Sequence, residues 1–301
     1  MPTEQTLGFI GCGNMGGAVL NGILTSAFPA NSQQQDVSTR PPITNFKACT
    51  KTASSAQRLQ STIPSHNTNQ VDILSGENVR TMQDSNVIIL GCKPFMAEEV
   101  LGAKGVREAL AGKLVISMLA GQSVERLLGI IRSSATENGT ETGTVDPIIM
   151  KAIPNMGAQF RESMTILEEP GVNVPASMIE TTEWIFKQVG TIKYLPASLT
   201  GLGTVLVGAT LAALTLPIEG LLDGCVAEGL KRGDAMEIVL QGIRGLSASL
   251  EAGTHPAVLR ESISSPRGCT IQALLSLERS GARSDFAEAM VAGNKHLREK
   301  M

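Results

Sequence analysis

Residues 264–277, Ser-Ser-Pro-Arg-Gly-Cys-Thr-Ile-Gln-Ala-Leu-Leu-Ser-Leu, join a hydroxyl-rich loop to an apolar helix, a junction suited to holding an anion. Pro266 stiffens the loop and Gly268 lets backbone approach backbone. The free N–H groups at the start of the next helix, with its dipole, favour a negative group. Ser and Thr at helix starts also serve as plain caps, so the junction gains meaning from a second feature far upstream. There, Leu7-Gly-Phe-Ile-Gly-Cys-Gly-Asn-Met-Gly-Gly17 sets Gly11, Gly13 and Gly16 in G-x-G-x-x-G spacing, directly after a strand and opening a helix. The first glycine permits a tight turn, the second lets a pyrophosphate approach the backbone, and the third lets helix and strand pack closely. Phosphate is left at the helix N-terminus, beside Asn14 and Met15.

The end of the second strand selects between dinucleotides, because a carboxylate there binds the ribose of NAD whereas a cation and hydroxyls accommodate the 2′-phosphate of NADP. In Ala48-Cys-Thr-Lys-Thr-Ala-Ser-Ser55 no acid is present. Thr50, Lys51 and Thr52, with Ser54, form a phosphate pocket, and the expected cofactor is NADPH rather than NADH. Ligands in such sheets lie beyond the carboxyl ends of the strands. Two further segments therefore line the cleft: Gly91-Cys-Lys-Pro-Phe95, with Cys92, Lys93 and Pro94, and Met118-Leu-Ala-Gly-Gln122, with Ala120. Lys93 is an anchor for cofactor or substrate charge, and Pro94 starts a helix.

These residues need a scaffold, and the hydrophobic periodicity supplies one. Up to residue 155, short β-rich apolar runs alternate with helical patterns, which argues for a parallel sheet with crossover helices. Strands are expected at 6–10, 46–50, 87–91, 114–118 and 148–153, and helices near 15–24, 53–59, 97–101 and 124–131. Polar stretches at 26–42, 61–69 and 133–146 read as surface insertions without chemistry. From about Pro175 the pattern turns helical almost throughout: 175–189, 203–222, 232–252, 256–263, 268–280 and 284–299. The fold class is thus an α/β Rossmann domain with a parallel sheet, residues 1–174, followed by an all-helical domain, residues 175–301. The run from Val205 to Leu216 is apolar around most of its circumference and requires cover on all sides, which a subunit interface would supply.

Composition excludes several classes. A net charge of −3 and 18% charged residues in 301 argue against a nucleic-acid surface and against disorder. The five cysteines are scattered without a C-x-x-C pair and there are three histidines, so neither a metal site nor a disulfide framework is expected. The N-terminus lacks the pattern of a signal peptide, and the expected location is the cytoplasm. Residues 205–222 are apolar enough to suggest a membrane span, but Pro217 and Glu219 favour a buried helix.

With both ends in view the chain resembles the pyrroline-5-carboxylate reductase family over nearly its whole length. Phe-Ile-Gly-Cys-Gly-Asn-Met-Gly at the start is similar to that family's first turn, Cys-Lys-Pro at 92–94 to its Val-Lys-Pro, and Ile-Pro-Asn at 153–155 to its Met-Pro-Asn. Asn78 stands where the family has a cofactor-contacting asparagine before the third strand. The run from His255 to Ile271 resembles the family signature that ends Ser-Pro-Gly-Gly-x-Thr-Ile. The resemblance implies NADPH-dependent reduction of a cyclic imine carboxylate, 1-pyrroline-5-carboxylate to L-proline. It also implies dimerisation through the helical domain and assembly as far as a decamer. The substrate carboxylate would lie on Ser265 and the N–H groups of Gly268, Cys269 and Thr270, with the Thr270 hydroxyl facing the ring nitrogen, and Asn155 would join the cofactor residues.

Departures accompany the likeness. Of the family's Thr-Ala-x-Ser-Gly-Ser-Gly-Pro-Ala at the start of the long helix only Thr204, Gly208 and Ala212 match, and both serines are gone. Arg267 replaces a signature glycine and places a cation beside the substrate loop, while Met156 and Gly157 replace the usual neighbours of Asn155. An alternative is therefore an imine reductase for a substituted pyrroline or piperideine, and another is a non-catalytic NADP-binding protein. A β-hydroxyacid dehydrogenase shares the glycine turn but needs a lysine on the interdomain helix, and residues 203–222 contain none.

Overall fold

Strands covered by helices on both faces have no polar side to show, and the central strands of the sheet are built that way. The computed structural model describes residues 5–29, 43–134 and 144–299. Eight strands, β1 (Gln5–Ile10), β2 (Ile43–Thr50), β3 (Val71–Ser75), β4 (Val87–Leu90), β5 (Leu114–Ser117), β6 (Ile148–Ile153), β7 (Ser163–Glu168) and β8 (Gly190–Leu195), form one sheet in the order β3-β2-β1-β4-β5-β6-β7-β8. Every neighbouring pair is parallel except β6 with β7.

The two-residue side-chain period of a strand divides the core. Leu7, Phe9, Val87, Ile89, Leu114 and Ile116 face α1 (Asn14–Ala27), α2 (Ala53–Gln60) and α7 (Ala176–Lys187). Ile10, Ile88, Leu90 and Val115 face the other side, covered by α3 (Asn78–Gln83), α4 (Ala97–Leu101), α5 (Val106–Leu110) and α6 (Val124–Ser133). Each fully buried Leu or Ile contributes about 1.5–3 kcal/mol. On α1, Gly22 marks the tightest approach: a Cβ there would lie 2.7 Å from the Ala158 carbonyl oxygen and from Val189.

The remaining helices are α8 (Ala197–Ala227), α9 (Arg232–Glu251), α10 (Pro256–Ser262), α11 (Cys269–Arg279) and α12 (Ala282–Glu299). Contacts divide the chain into two compact units, Met1–Val207 with His296–Met301, and Gly208–Lys295. No residue of α10, α11 or α12 is buried, and α9 buries only Ala235.

Several expectations are corrected. Three strands went unread: β3, β7 and β8. β3 lies beside the stretch read as an insertion, β8 alternates exposed with half-buried residues at the sheet's edge, and β7 carries the buried polar residues Ser163 and Thr165. The region past Pro175 is helical from α8 onward, but β8 interrupts it. Residues 26–27 extend α1, and 65–70 form a 3-10 turn with Asn67 buried. The rest of the first and third insertions, 30–42 and 135–143, lies outside the described residues.

Candidate active site

The glycine turn sits at the carboxyl end of β1, where it must reverse into α1. Gly11 has φ +80°, a left-handed conformation, and an added Cβ would lie 2.6 Å from the Cys92 backbone nitrogen, so only glycine fits. The N–H groups of Gly11 and Cys12 both donate to the Cys49 carbonyl, at 3.0 and 2.8 Å, tying the turn to β2. At Gly13, by contrast, a Cβ would meet nothing nearer than 4.0 Å, which leaves the backbone open to a ligand. Gly13 caps α1 without any side-chain hydrogen bond, no acid lies in the first turn, and the N–H groups of Asn14, Met15 and Gly16 meet no acceptor among the described residues. A pyrophosphate fits these donors. Gly16 makes only ordinary contacts, so the close helix packing assigned to it belongs to Gly22.

Two cavities flank this turn. The first, about 250 Å³, is lined by Gly11, Lys51, Asn78, Cys92, Met96 and Glu99. It gathers four residues that the sequence had marked separately. Asn78 is the first residue of α3 and follows β3, so it precedes the fourth strand rather than the third. The second cavity, about 230 Å³, lies between α1 and α2 and includes Cys12, Gly13, Asn14, Ser55, Arg58 and Met156.

The end of β2 carries no carboxylate, but its hydroxyls differ in availability. Thr50 is 3% exposed and donates to the Thr52 carbonyl at 3.0 Å, so it braces the turn from inside. Thr52 caps α2, accepting the Ser55 N–H at 3.2 Å, and stands 3.1 Å from the Ser54 hydroxyl. Lys51 points into solvent and pairs with Glu99 at 3.4 Å. Such an exposed pair is weak, about 0–1 kcal/mol, and yields to a phosphate. Sequence reasoning missed Glu99, which lies 48 positions away with no local signal, and Arg58, which the i, i+3 spacing from Ser55 on α2 places on one face.

Other expected cofactor residues do not themselves line these cavities. Lys93 is exposed and accepts the Met96 N–H at 2.9 Å through its carbonyl, while Pro94 opens a short 3-10 turn, as expected. Ala120 lies in the turn after β5, beside the left-handed Gly121. Asn155 is committed on all sides: its N–H donates to Ser163 Oγ at 3.1 Å, its Oδ1 accepts from Gly157 N at 3.0 Å, and its Nδ2 donates to the Val207 carbonyl at 3.4 Å. It therefore shapes the loop after β6 and ties that loop to α8.

Neither cysteine near the turn is a nucleophile. Burial, with Cys49 adjacent, pushes the Cys12 thiol far up, and burial pushes Cys92 up to about 11. Both stay protonated at neutral pH, which suits a site that binds rather than bonds.

In the second unit, Ser265, Pro266, Arg267 and Gly268 form a tight turn closed by the Gly268 N–H to the Ser265 carbonyl, 3.0 Å. Proline at its second position and a positive φ at its third are the pattern of a type II turn, which calls for glycine at the third. Here that position is Arg267, at φ +59°. A Cβ on Gly268 would lie 2.5 Å from Ser265 Oγ, so a larger residue there would turn the Ser265 hydroxyl aside. Because the Gly268 N–H is spent on the turn, the donors left for an anion are the N–H groups of Cys269 and Thr270, which meet no acceptor among the described residues. The N-terminus of α11 has no side-chain cap, and the Thr270 hydroxyl makes no hydrogen bond among those residues either. These two donors and the Thr270 hydroxyl are local products of one turn and one helix start.

A left-handed glycine turn, an uncapped helix N-terminus behind it and a carboxylate-free second strand, all at the carboxyl end of a parallel sheet, define a Rossmann-type NADP(H) oxidoreductase. Family models bear on both parts of the chain: "NADP oxidoreductase coenzyme F420-dependent" matches residues 6–121 and "Pyrroline-5-carboxylate reductase dimerisation" matches 198–300. The pyrroline-5-carboxylate reductase of Lophium arboricola is 36% identical over 293 residues, covering 96% of this chain and 91% of that protein. That of Neurospora crassa is 34% identical over 305 residues, 96% and 90% of the two chains. The crystal structure of Plasmodium falciparum pyrroline carboxylate reductase with NADP bound superposes with a TM-score of 0.78, covering 100% and 99% of the chains at 24% identity, and so agrees in fold. The chain belongs to the pyrroline-5-carboxylate reductase family.

Proposed function

We propose that the protein reduces 1-pyrroline-5-carboxylate to L-proline at the expense of NADPH. The reading is carried by a likeness that spans 96% of the chain to a reductase of that name, in a molecule whose own residues supply both a dinucleotide turn and a separate anion seat. When bound, NADPH supplies the hydride that the imine carbon accepts. The ring nitrogen must gain a proton as the C=N bond becomes C–N, so the chain has to hold the ring by its carboxylate and steady its nitrogen. The Cys269 and Thr270 N–H groups hold the carboxylate, with Ser265, Gly268 and Arg267 framing the loop. The Thr270 hydroxyl orients the nitrogen while solvent provides the proton.

Cofactor contacts are assigned to residues 1–174 and substrate contacts to 175–301. The second unit carries its apolar side chains outward, Leu216 at 69%, Ile238 at 64% and Val291 at 70% exposure. A second copy covers these faces, giving a homodimer that can assemble further, towards a decamer. α8 is long and apolar enough to cross a membrane by length and composition, but Pro217 and Glu219 within it favour protein over lipid as its cover. All five cysteines are free, which suits the cytoplasm. The net charge of −3 offers nothing to nucleic acid.

Arg267 and the two missing serines of the long helix keep one second reading in view, a substituted or six-membered imine. NADPH oxidation measured with 1-pyrroline-5-carboxylate, piperideine carboxylates and methylated pyrrolines tests it. The highest kcat/KM is expected for 1-pyrroline-5-carboxylate, and a larger value for another ring would replace the substrate assignment.

A further inference from the structure

The glycine turn is shared between the two cavities: Gly11 faces the one that holds Lys51, whereas Cys12, Gly13 and Asn14 face the groove that holds Ser55 and Arg58. Ser55, which lines that groove, accepts from Thr52 Oγ1 at 3.0 Å, so the groove adjoins the hydroxyls at the end of β2. Lys51 already has a partner in Glu99. Arg58 is exposed and pairs with no carboxylate among the described residues. Arg58 sits one turn after Ser55 on α2 and lines the groove together with Ser55, Gly13 and Asn14. Leu59, buried beside it, fixes that side of α2 against the core. The far end of the groove is closed by Asn21 Nδ2 donating to Thr62 Oγ1 at 2.9 Å, with Asn21 Oδ1 buried and without a donor.

We infer that Arg58 is a specificity-determining residue for the cofactor, its guanidinium reaching over Ser55 to hold the 2′-phosphate of NADPH at the mouth of the α1–α2 groove. The inference rests on the NADPH reading above and adds a second cation, on α2, to the lysine at the end of β2. A guanidinium gives a phosphate two parallel hydrogen bonds, whereas an ammonium offers a point charge. Arg58 thus separates a 2′-phosphate from a 2′-hydroxyl more sharply than Lys51 does.

Calorimetric titration of the full-length enzyme with adenosine 2′,5′-bisphosphate and with 5′-AMP tests this without relying on turnover. Arg58→Ala is expected to weaken the bisphosphate by roughly tenfold or more and to leave 5′-AMP unchanged, with Arg58→Lys restoring part of the loss. An unchanged bisphosphate-to-AMP ratio in Arg58→Ala would overturn the assignment. Equal weakening of both ligands would also overturn it, by placing Arg58 on the 5′-phosphate instead. Thermal melts of the variants check that the exposed substitution leaves the fold intact. Failure of pyrroline-5-carboxylate turnover would leave these affinities standing, so the two readings fail separately.

Discussion

The sheet unit and the helical unit solve opposite problems with the same kinds of apolar residue. Around the sheet, side chains turn inward on both faces: Phe9, Ile89 and Leu90 are all 0–1% exposed. In the helical unit the same residue types point outward, with Leu211 at 45%, Leu214 at 50% and Leu246 at 49%. A fold that buries its own core can offer a preformed cofactor turn. Helices that cannot bury themselves become stable only against another surface; in the proposed dimer, the proposed substrate seat on α11 depends on assembly in a way that the glycine turn does not.

The sharpest way to break this contrast is to charge the outward face. Ile238→Glu puts a carboxylate into the proposed interface, and light scattering is expected to show loss of the assembly. Turnover should fall on the order of a hundredfold or more, because interface centres carry several kcal/mol, while NADPH still binds the sheet unit. A fully active monomer would refute the link between assembly and the seat. The converse substitution, Gly11→Ala, attacks the sheet unit. It forces a Cβ toward the Cys92 nitrogen in a left-handed turn, a strain of about 1–3 kcal/mol, and NADPH affinity should drop at least tenfold while the assembly persists.

Smaller effects sharpen the comparison at the seat itself. Thr270→Ala should lower kcat roughly tenfold or more through loss of one hydrogen bond to a developing charge, with NADPH affinity little changed; unchanged kcat would remove Thr270 from the chemistry. Arg267→Gly relieves a left-handed backbone at φ +59°. It should stabilise the loop by about 1 kcal/mol, seen as a rise in melting temperature of about 2–4 °C. The least effect is chemical. Burial holds the Cys92 thiol at about 11, so alkylation at Cys92 itself, followed by peptide mass mapping of the cofactor-free enzyme, should rise tenfold per pH unit through pH 8–10, whereas a plateau below pH 9 would contradict that burial.

Much of this contrast was legible in the residues. The glycine spacing, the absence of an acid after Cys49 and the Pro266–Thr270 junction each state a local requirement, and local requirements survive in sequence. Val87–Leu90 declares itself a central strand because all four side chains are apolar. Gly190–Leu195 does not, because its alternation of exposed and half-buried residues resembles the wet face of a helix turn. What sequence hides is commitment. Thr50, Asn155 and the Gly268 N–H all looked free for a ligand, yet each is engaged by groups brought up by folding: Thr52, Val207 and Ser265. Lys51 meets Glu99 for the same reason. The apolar run of α8 announced a need for cover and could not say that its own chain leaves that need unmet.

The account turns on one reaction. Purified enzyme given 1-pyrroline-5-carboxylate should consume NADPH and form L-proline in equal amounts, with kcat/KM for NADPH above that for NADH. NADPH that binds but is not consumed with 1-pyrroline-5-carboxylate would contradict it.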